Sequence, residues 1–264
     1  MPDRSVFTDE GGRIVATDFA RGPWDPNAQH GGAPAALLTR AFERLVGNDG
    51  LVFARLTFEL LRPVPLGPLE VRAEIVRPGK RVQLLDGSIW TPGGVEVVRA
   101  RALRVSAADP AAPTTAPASV PPGPEHGRDS DQEPPYRPMF APDSIEIRFV
   151  EGQFAHRGPA IAWFRLRVPL VLGEHPSPLQ RLAAAADFPN GISTALSWDE
   201  WVFINPDLTI HLDRPPVGEW FALEASTVIA PGGIGTAESV LYDERGRVGR
   251  AVQALLIAAR PPAT

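Results

Sequence analysis

The sequence predicts an α+β fold built twice: two tandem repeats, each with a long central helix wrapped by an antiparallel sheet. Three observations lead there. Each half carries one strong helical signal followed by four strand-like runs separated by glycine turns. A shift of 152 residues lays 56-LTFELLRP-63 on 208-LTIHLDRP-215, which points to a duplicated supersecondary unit. Between the halves, residues 106–142 contain ten of the thirty prolines, and proline denies a segment both helix and ladder hydrogen bonds. The expected division is a first repeat over 1–105, an extended or partly disordered proline-rich linker over 106–142, and a second repeat over 143–260.

In the first repeat, 12-GRIVATDFA-20 reads as a short strand. The run 32-GAPAALLTRAFERL-45 reads as a helix with Pro34 in its first turn, where the missing amide hydrogen is harmless. Leu37, Leu38, Ala41 and Leu45 recur at helical spacing and give it an apolar stripe. Alternating strands follow at about 51–61, 68–77, 81–91 and 95–105. The second repeat repeats the pattern: strands at 143–152 and 160–169, then a helix over 177-SPLQRLAAAAD-187 with Ser177 as N-cap and Pro178 at its first position. Strands at about 198–212, 219–230, 233–243 and 247–258 complete it. The ungapped shift also brings Gly94 onto Gly246 and Ala102-Leu103 onto Ala254-Leu255, with ten of the fifty positions from Leu56 to Val105 identical. It makes Arg101 the counterpart of Gln253.

Composition narrows the function. With 44% hydrophobic and 22% charged residues, the 264-residue chain has the balance of a soluble globular protein. A net charge of -5 argues against nucleic acid or an anionic membrane surface as partner. The absence of cysteine removes disulfides, thiolate nucleophiles and Cys-based metal sites. No window approaches 18 apolar residues and the N-terminus has no apolar signal core, so a cytoplasmic location is expected. His156, His175 and His211 lack metal-ligand spacing, and phosphate-loop, G-x-S-x-G and dinucleotide signatures are missing. Arg77, Lys80 and Arg81, in RPGKR, read as a solvated hairpin turn.

The order of elements and four motifs resemble the TesB-like acyl-CoA thioesterase family: 29-QHGGAPAALL-38, 186-ADFPNGIS-193, 207-DLTIHLDRPPVGEW-220 and 246-GRVGRAVQALLI-257. The resemblance covers nearly the whole chain apart from the linker. It implies a double hotdog fold and hydrolysis of an acyl-CoA thioester, with coenzyme A entering only as part of the substrate and no further cofactor. It also implies a site in which an aspartate, a glutamine and a hydroxyl residue hold the attacking water. Asp187 and Gln253 match the first two. The hydroxyl position falls on Asn205 by counting back from Arg214-Pro215, while the nearest hydroxyl is Thr209, so either is a candidate.

Read on their own chemistry, these residues are unusual enough to notice. Asp187 follows an alanine run at the C-terminal end of its helix, where the helix dipole disfavours a carboxylate by about 0.3–1 kcal/mol. Gln253 lies in the apolar run AVQALLI, and a buried amide left without partners costs roughly 1–3 kcal/mol. Asp25 and His30, in DPNAQH, imitate the start of a hotdog hydratase signature, which makes an enoyl-CoA hydratase the first alternative. Ala28 then replaces the expected proline, and glycines follow the histidine. Gly31 and Gly32, without a Cβ, let an acyl carbonyl approach helix-start amides that stabilise an oxyanion. On this reading the backbone beside His30 acts rather than its ring. The second alternative is a non-catalytic acyl-CoA-binding protein. Sheet edges and a helix-free outer face lead us to expect a homodimer.

Overall fold

The computed structural model describes residues 4–107, 120–131, 133–135, 137–154 and 156–260. The first repeat contributes β1 (Phe7–Glu10), β2 (Arg13–Ala16), α1 (Gly32–Leu45), β3 (Leu51–Leu60), β4 (Gly67–Arg77), β5 (Val82–Trp90) and β6 (Glu96–Ser106). The second contributes β7 (Ile145–Glu151), β8 (Ala160–Leu166), α2 (Pro178–Ala185), the single turn α3 (Pro189–Ile192), β9 (Trp201–Ile204), β10 (Asp207–Leu212), β11 (Trp220–Ala230), β12 (Ile234–Asp243) and β13 (Gly246–Ala259). The strands form one sheet in the order β1-β2-β4-β5-β6-β3-β10-β13-β12-β11-β8-β7, with β9 added on β13.

The two repeats join where β3 pairs antiparallel with β10. Thr57 lies opposite Thr209, Leu56 opposite Ile210 and Phe58 opposite Leu208. Thr57 and Thr209 are the pair that the 152-residue shift relates, and their hydroxyls are 3.3 Å apart. A local two-fold axis therefore passes through this pair.

The shift fails on the last strand. Phe58 faces Ala100 and Leu56 faces Ala102, whereas Ile210 faces Ala251. Ala251 is thus the counterpart of Ala100, and Gln253 is the counterpart of Ala102 rather than of Arg101. The cause is the preceding turn: Trp90 pairs with Glu96, but Tyr242 pairs with Arg247, one residue sooner. A one-residue slip turns every side chain of a strand to the other face. Arg101 is exposed, while Gln253 is fully buried.

Three elements differ from their expected bounds. Residues 12–20 do not form one strand, because the strand ends at Ala16 and Thr17 caps a 3₁₀ turn over Asp18–Ala20. The run 198–212 is broken at Asn205-Pro206 into β9 and β10. Pro206 has no amide hydrogen to continue the ladder. The helix begins as expected, with Ser177 Oγ accepting from the Gln180 amide at 3.1 Å, but stops at Ala185. Pro189 is the reason: its ring would collide with the Ala185 carbonyl of a continuing helix. With α1 fourteen residues long and α2 only eight, a long central helix in each half is not what the structure shows.

The helices pack against the sheet, where Leu37, Leu38 and Phe42 of α1 and Leu182 to Ala185 of α2 are almost fully buried. Burying Phe42 or Leu38 contributes about 1.5–3 kcal/mol each. Arg40 of α1 reaches Glu174, ahead of α2, through two bonds of 2.6 and 2.5 Å. Part of the proline-rich segment, 108–119, lies outside the described residues. Further on, Arg128 exchanges backbone bonds with Phe149 and the Trp163 indole donates to the Pro122 carbonyl at 2.7 Å. Phe140 is buried, and its amide donates to Arg21 O at 2.9 Å.

Candidate active site

The site forms where the end of one helix meets the start of the other. The chain leaves α2 at Asp187, and that carboxyl faces the first turn of α1. The packing is so close that a Cβ on Gly31 would come 2.6 Å from Asp187 Oδ2, and one on Gly32 would come 2.3 Å from the Ala184 carbonyl oxygen. Real Cβ atoms do not tolerate such distances, so both glycines are required by this approach. Asp187 disfavours the dipole of its own helix but lies at the positive end of the neighbouring one.

Two amides converge on the carboxyl from the sheet. Asn205 Nδ2 donates to Asp187 Oδ1 at 2.8 Å, and Gln253 Nε2 donates to the same oxygen at 2.9 Å. Both placements follow from strand irregularity. The break at Asn205-Pro206 turns Asn205 away from the ladder. β10 pairs with β13 over Gly249–Val252 and β9 over Leu256–Ala259, so Gln253 lies between these two pairings. Its Oε1 is buried and has no hydrogen-bond partner among the described residues.

Thr209, the other hydroxyl candidate, is not brought here. Leu208 and Ile210 on either side of it are buried, so its side chain emerges on the opposite face of β10 and meets Thr57.

His30 is brought here, by its ring. Nδ1 lies 3.2 Å from Asp187 Oδ2 and accepts from the Gly32 amide at 3.1 Å. The ring is stacked against Phe188 at 4.3 Å and Phe140 at 5.1 Å between centroids. Asp25 is elsewhere: it is exposed, and its carboxylate accepts from the Asn27 amide at 2.8 Å, closing a surface turn. The acid beside His30 is therefore Asp187, not Asp25.

Burial decides the charge states. It pushes the Asp187 carboxyl up to about 7, against the opposing pull of the bonds from Asn205, Gly32 and Gln253. It pushes the His30 imidazole down to about 3. At neutral pH the ring is uncharged, with its Nδ1 lone pair directed at the Gly32 amide. The His30–Asp187 contact is then a close polar contact to an uncharged ring rather than an ion pair. With the Gly32 amide so engaged, the Gly31 amide is the one at this helix start without an acceptor among the described residues.

The other end of the helix pair is built alike. Glu43, near the end of α1, meets the start of α2, accepting from Ser177 Oγ at 2.8 Å and from Gln180 Nε2 at 2.7 Å. Burial raises its carboxyl too. On the sheet side, however, the counterpart of Gln253 is Ala102, and that of Asn205 at the 152-residue shift is Phe53. Only one of the two ends carries a full set of polar groups.

Two comparisons decide the family. The acyl-CoA thioesterase N-terminal domain family matches residues 20–105, and the acyl-CoA thioesterase C-terminal domain family matches residues 113–257. This chain belongs to the acyl-CoA thioesterase family. The protein is a thioester hydrolase. Solved structures share its hotdog-type fold, a large antiparallel sheet with few helices. A candidate thioesterase from Novosphingobium aromaticivorans is 21% identical with a TM-score of 0.73, over 97% of this chain and 98% of that one. A conserved protein of unknown function with a hot dog fold, from Alicyclobacillus acidocaldarius, is 15% identical with a TM-score of 0.72, over 97% and 96%. An acyl-CoA thioesterase II from Mycobacterium marinum is 17% identical with a TM-score of 0.66, over 96% and 95%. None of the curated proteins matches the thioesterase. Among the described residues no helix is long and apolar enough to cross a membrane, and no group of three or more His, Asp or Glu side chains is arranged to hold a metal ion.

Sequence reasoning missed the rings that hold His30. Phe188 was visible as the neighbour of Asp187, but Phe140 lay in a segment read as linker.

Proposed function

We propose that the thioesterase hydrolyses an acyl-CoA to free acid and CoA with water activated by Asp187. A water oxygen attacks the thioester carbon while one of its protons passes to the Asp187 carboxylate. The carbon–sulfur bond then breaks, and that proton leaves on the CoA thiol. Gln253 and Asn205 fix the carboxylate through Oδ1, and Gln253 Oε1 is a free acceptor for the water. The Gly31 amide, at the positive end of α1, is the donor offered to the oxyanion, a role typically worth 10²–10³ in kcat. A base that ionises near neutral pH suits this task, because it is both available and basic. The reading needs no metal or redox cofactor.

One observation carries it: a single buried carboxyl on which a strand break, a β-strand, a helix start and an imidazole all converge. Free thiol release from acyl-CoAs of graded chain length tests it. A hydratase would release no CoA, and an acyl-CoA-binding protein would turn nothing over. The hydratase reading also lacks its acid, since Asp25 is committed to a surface turn. We further propose a homodimer as the working assembly, which light scattering checks by a mass of about twice 28.4 kDa.

A further inference from the structure

We propose that His30 is a positioning residue for Asp187: its uncharged acceptor nitrogen beside Oδ2 favours the protonated carboxyl and so sets the pH at which the base becomes available. This rests on the reading of Asp187 as the base.

Geometry supports it in three ways. First, the ring is packed against Phe188 and Phe140, and its backbone amide donates to the Ala20 carbonyl at 2.9 Å. Its orientation is therefore fixed. Second, the Gly32 amide donates to Nδ1, which makes that nitrogen an acceptor and places the ring hydrogen on Nε2. An acceptor 3.2 Å from Oδ2 favours the protonated carboxyl over the carboxylate. Third, no other ionisable side chain touches Asp187 among the described residues. The start of α1 presents the glycines, β3 presents Leu60, β13 presents Gln253 and the strand break presents Asn205. The nearby Asp207 carboxylate is committed to the Ala254 amide at 2.7 Å.

The two oxygens of Asp187 are thus held differently. Oδ1 takes two side-chain amide donors, which together with the Gly32 amide favour charge. Oδ2 faces an acceptor, which favours a proton. During turnover the proton taken from water rests on Oδ2, beside Nδ1, until the thiolate leaves with it.

The test compares His30→Phe, which keeps a stacked ring and removes Nδ1, with His30→Asn, whose Oδ1 lies close to where Nδ1 was. In His30→Phe the acid limb of kcat/KM should move at least one pH unit lower. In His30→Asn the limb should stay within half a unit of wild type. An infrared titration of the Asp187 carboxyl band, assigned by its loss in Asp187→Asn, reads the same midpoints without turnover. If Asp187 is not the base, the kinetic limb will ignore Asp187→Asn while the infrared midpoints still report on His30. An infrared midpoint unmoved in His30→Phe, or moved equally in both variants, overturns the proposal. So does a midpoint that rises, because that is the mark of a charged imidazole. Should His30→Phe not fold, His30→Gln, which cannot put an acceptor at the Nδ1 position, replaces it with the same expectation.

Discussion

Replacing Asp187 by Asn separates what the carboxyl does for catalysis from what its burial costs the fold. The substitution keeps size and shape and removes the charge. In the folded protein burial raises the carboxyl from 3.8 to about 7. At about 1.4 kcal/mol per pH unit, holding the ionised form costs roughly 4 kcal/mol. The sign follows from proton binding. Between pH 4 and 7 the folded state binds more protons at this site than the unfolded chain, so stability from this group is complete below pH 4 and is lost by pH 7. Asp187→Asn should therefore gain on wild type as pH rises, by roughly 4 kcal/mol between pH 4 and 8, and the gap should then stay level.

His30 acts in the opposite sense. Its imidazole is lowered to about 3, so its contribution is present above pH 6.5 and is lost as pH falls. The two slopes nearly cancel in wild type from pH 4 to 6.5. Removing Asp187 exposes the His30 slope. Urea unfolding of both proteins at unit pH steps measures the difference curve. Meanwhile kcat should fall by about 10²–10⁴, the usual contribution of a positioned general base. A difference curve that is flat, or that falls with pH, would refute the claim that burial controls this carboxyl. A stable variant with undiminished kcat would refute its role as base.

Other outcomes follow from the same geometry. The kcat/KM profile of wild type should have an acid limb near pH 7, with activity at pH 5 about 100-fold below the plateau. Gln253→Ala should lower kcat less than Asp187→Asn, because it removes one of two donors to Oδ1 and leaves the base in place; parallel kcat measurements on the two variants show which loss is larger. Thr209→Val should leave kcat within about twofold, since its hydroxyl meets Thr57 across the two-fold axis; a tenfold loss would return Thr209 to the site. Gly32→Ala should destabilise by about 1–3 kcal/mol or more, because the new Cβ meets a backbone carbonyl that has little room to yield. Thermal unfolding reads this as a lower Tm.

The sequence by itself determined the elements and their order. Helical spacing in GAPAALLTRAFERL and strand alternation are local properties, set by side-chain periodicity against the backbone, and they survive in α1 and in most strands. The repeat was legible for the same reason, and its strongest match, LTFELLRP on LTIHLDRP, lies at the join of the two halves. Asp187 and Gln253 stood out because a carboxylate after an alanine run and an amide in an apolar strand are each locally costly.

Only the tertiary structure decided what these residues touch. A turn one residue shorter slips β13 and makes Ala102, not Arg101, the counterpart of Gln253. That offset is set by cross-strand pairing, which an ungapped shift cannot register. Pro206 breaks a run that reads as one strand, and the break selects Asn205 over Thr209. The pairing of His30 with Asp187 joins residues 157 positions apart, from opposite repeats. It exists because two helices pack antiparallel with their ends in contact. Nothing in the chain near His30 names its acid; Asp25 was closer in sequence, and the fold placed it at the surface.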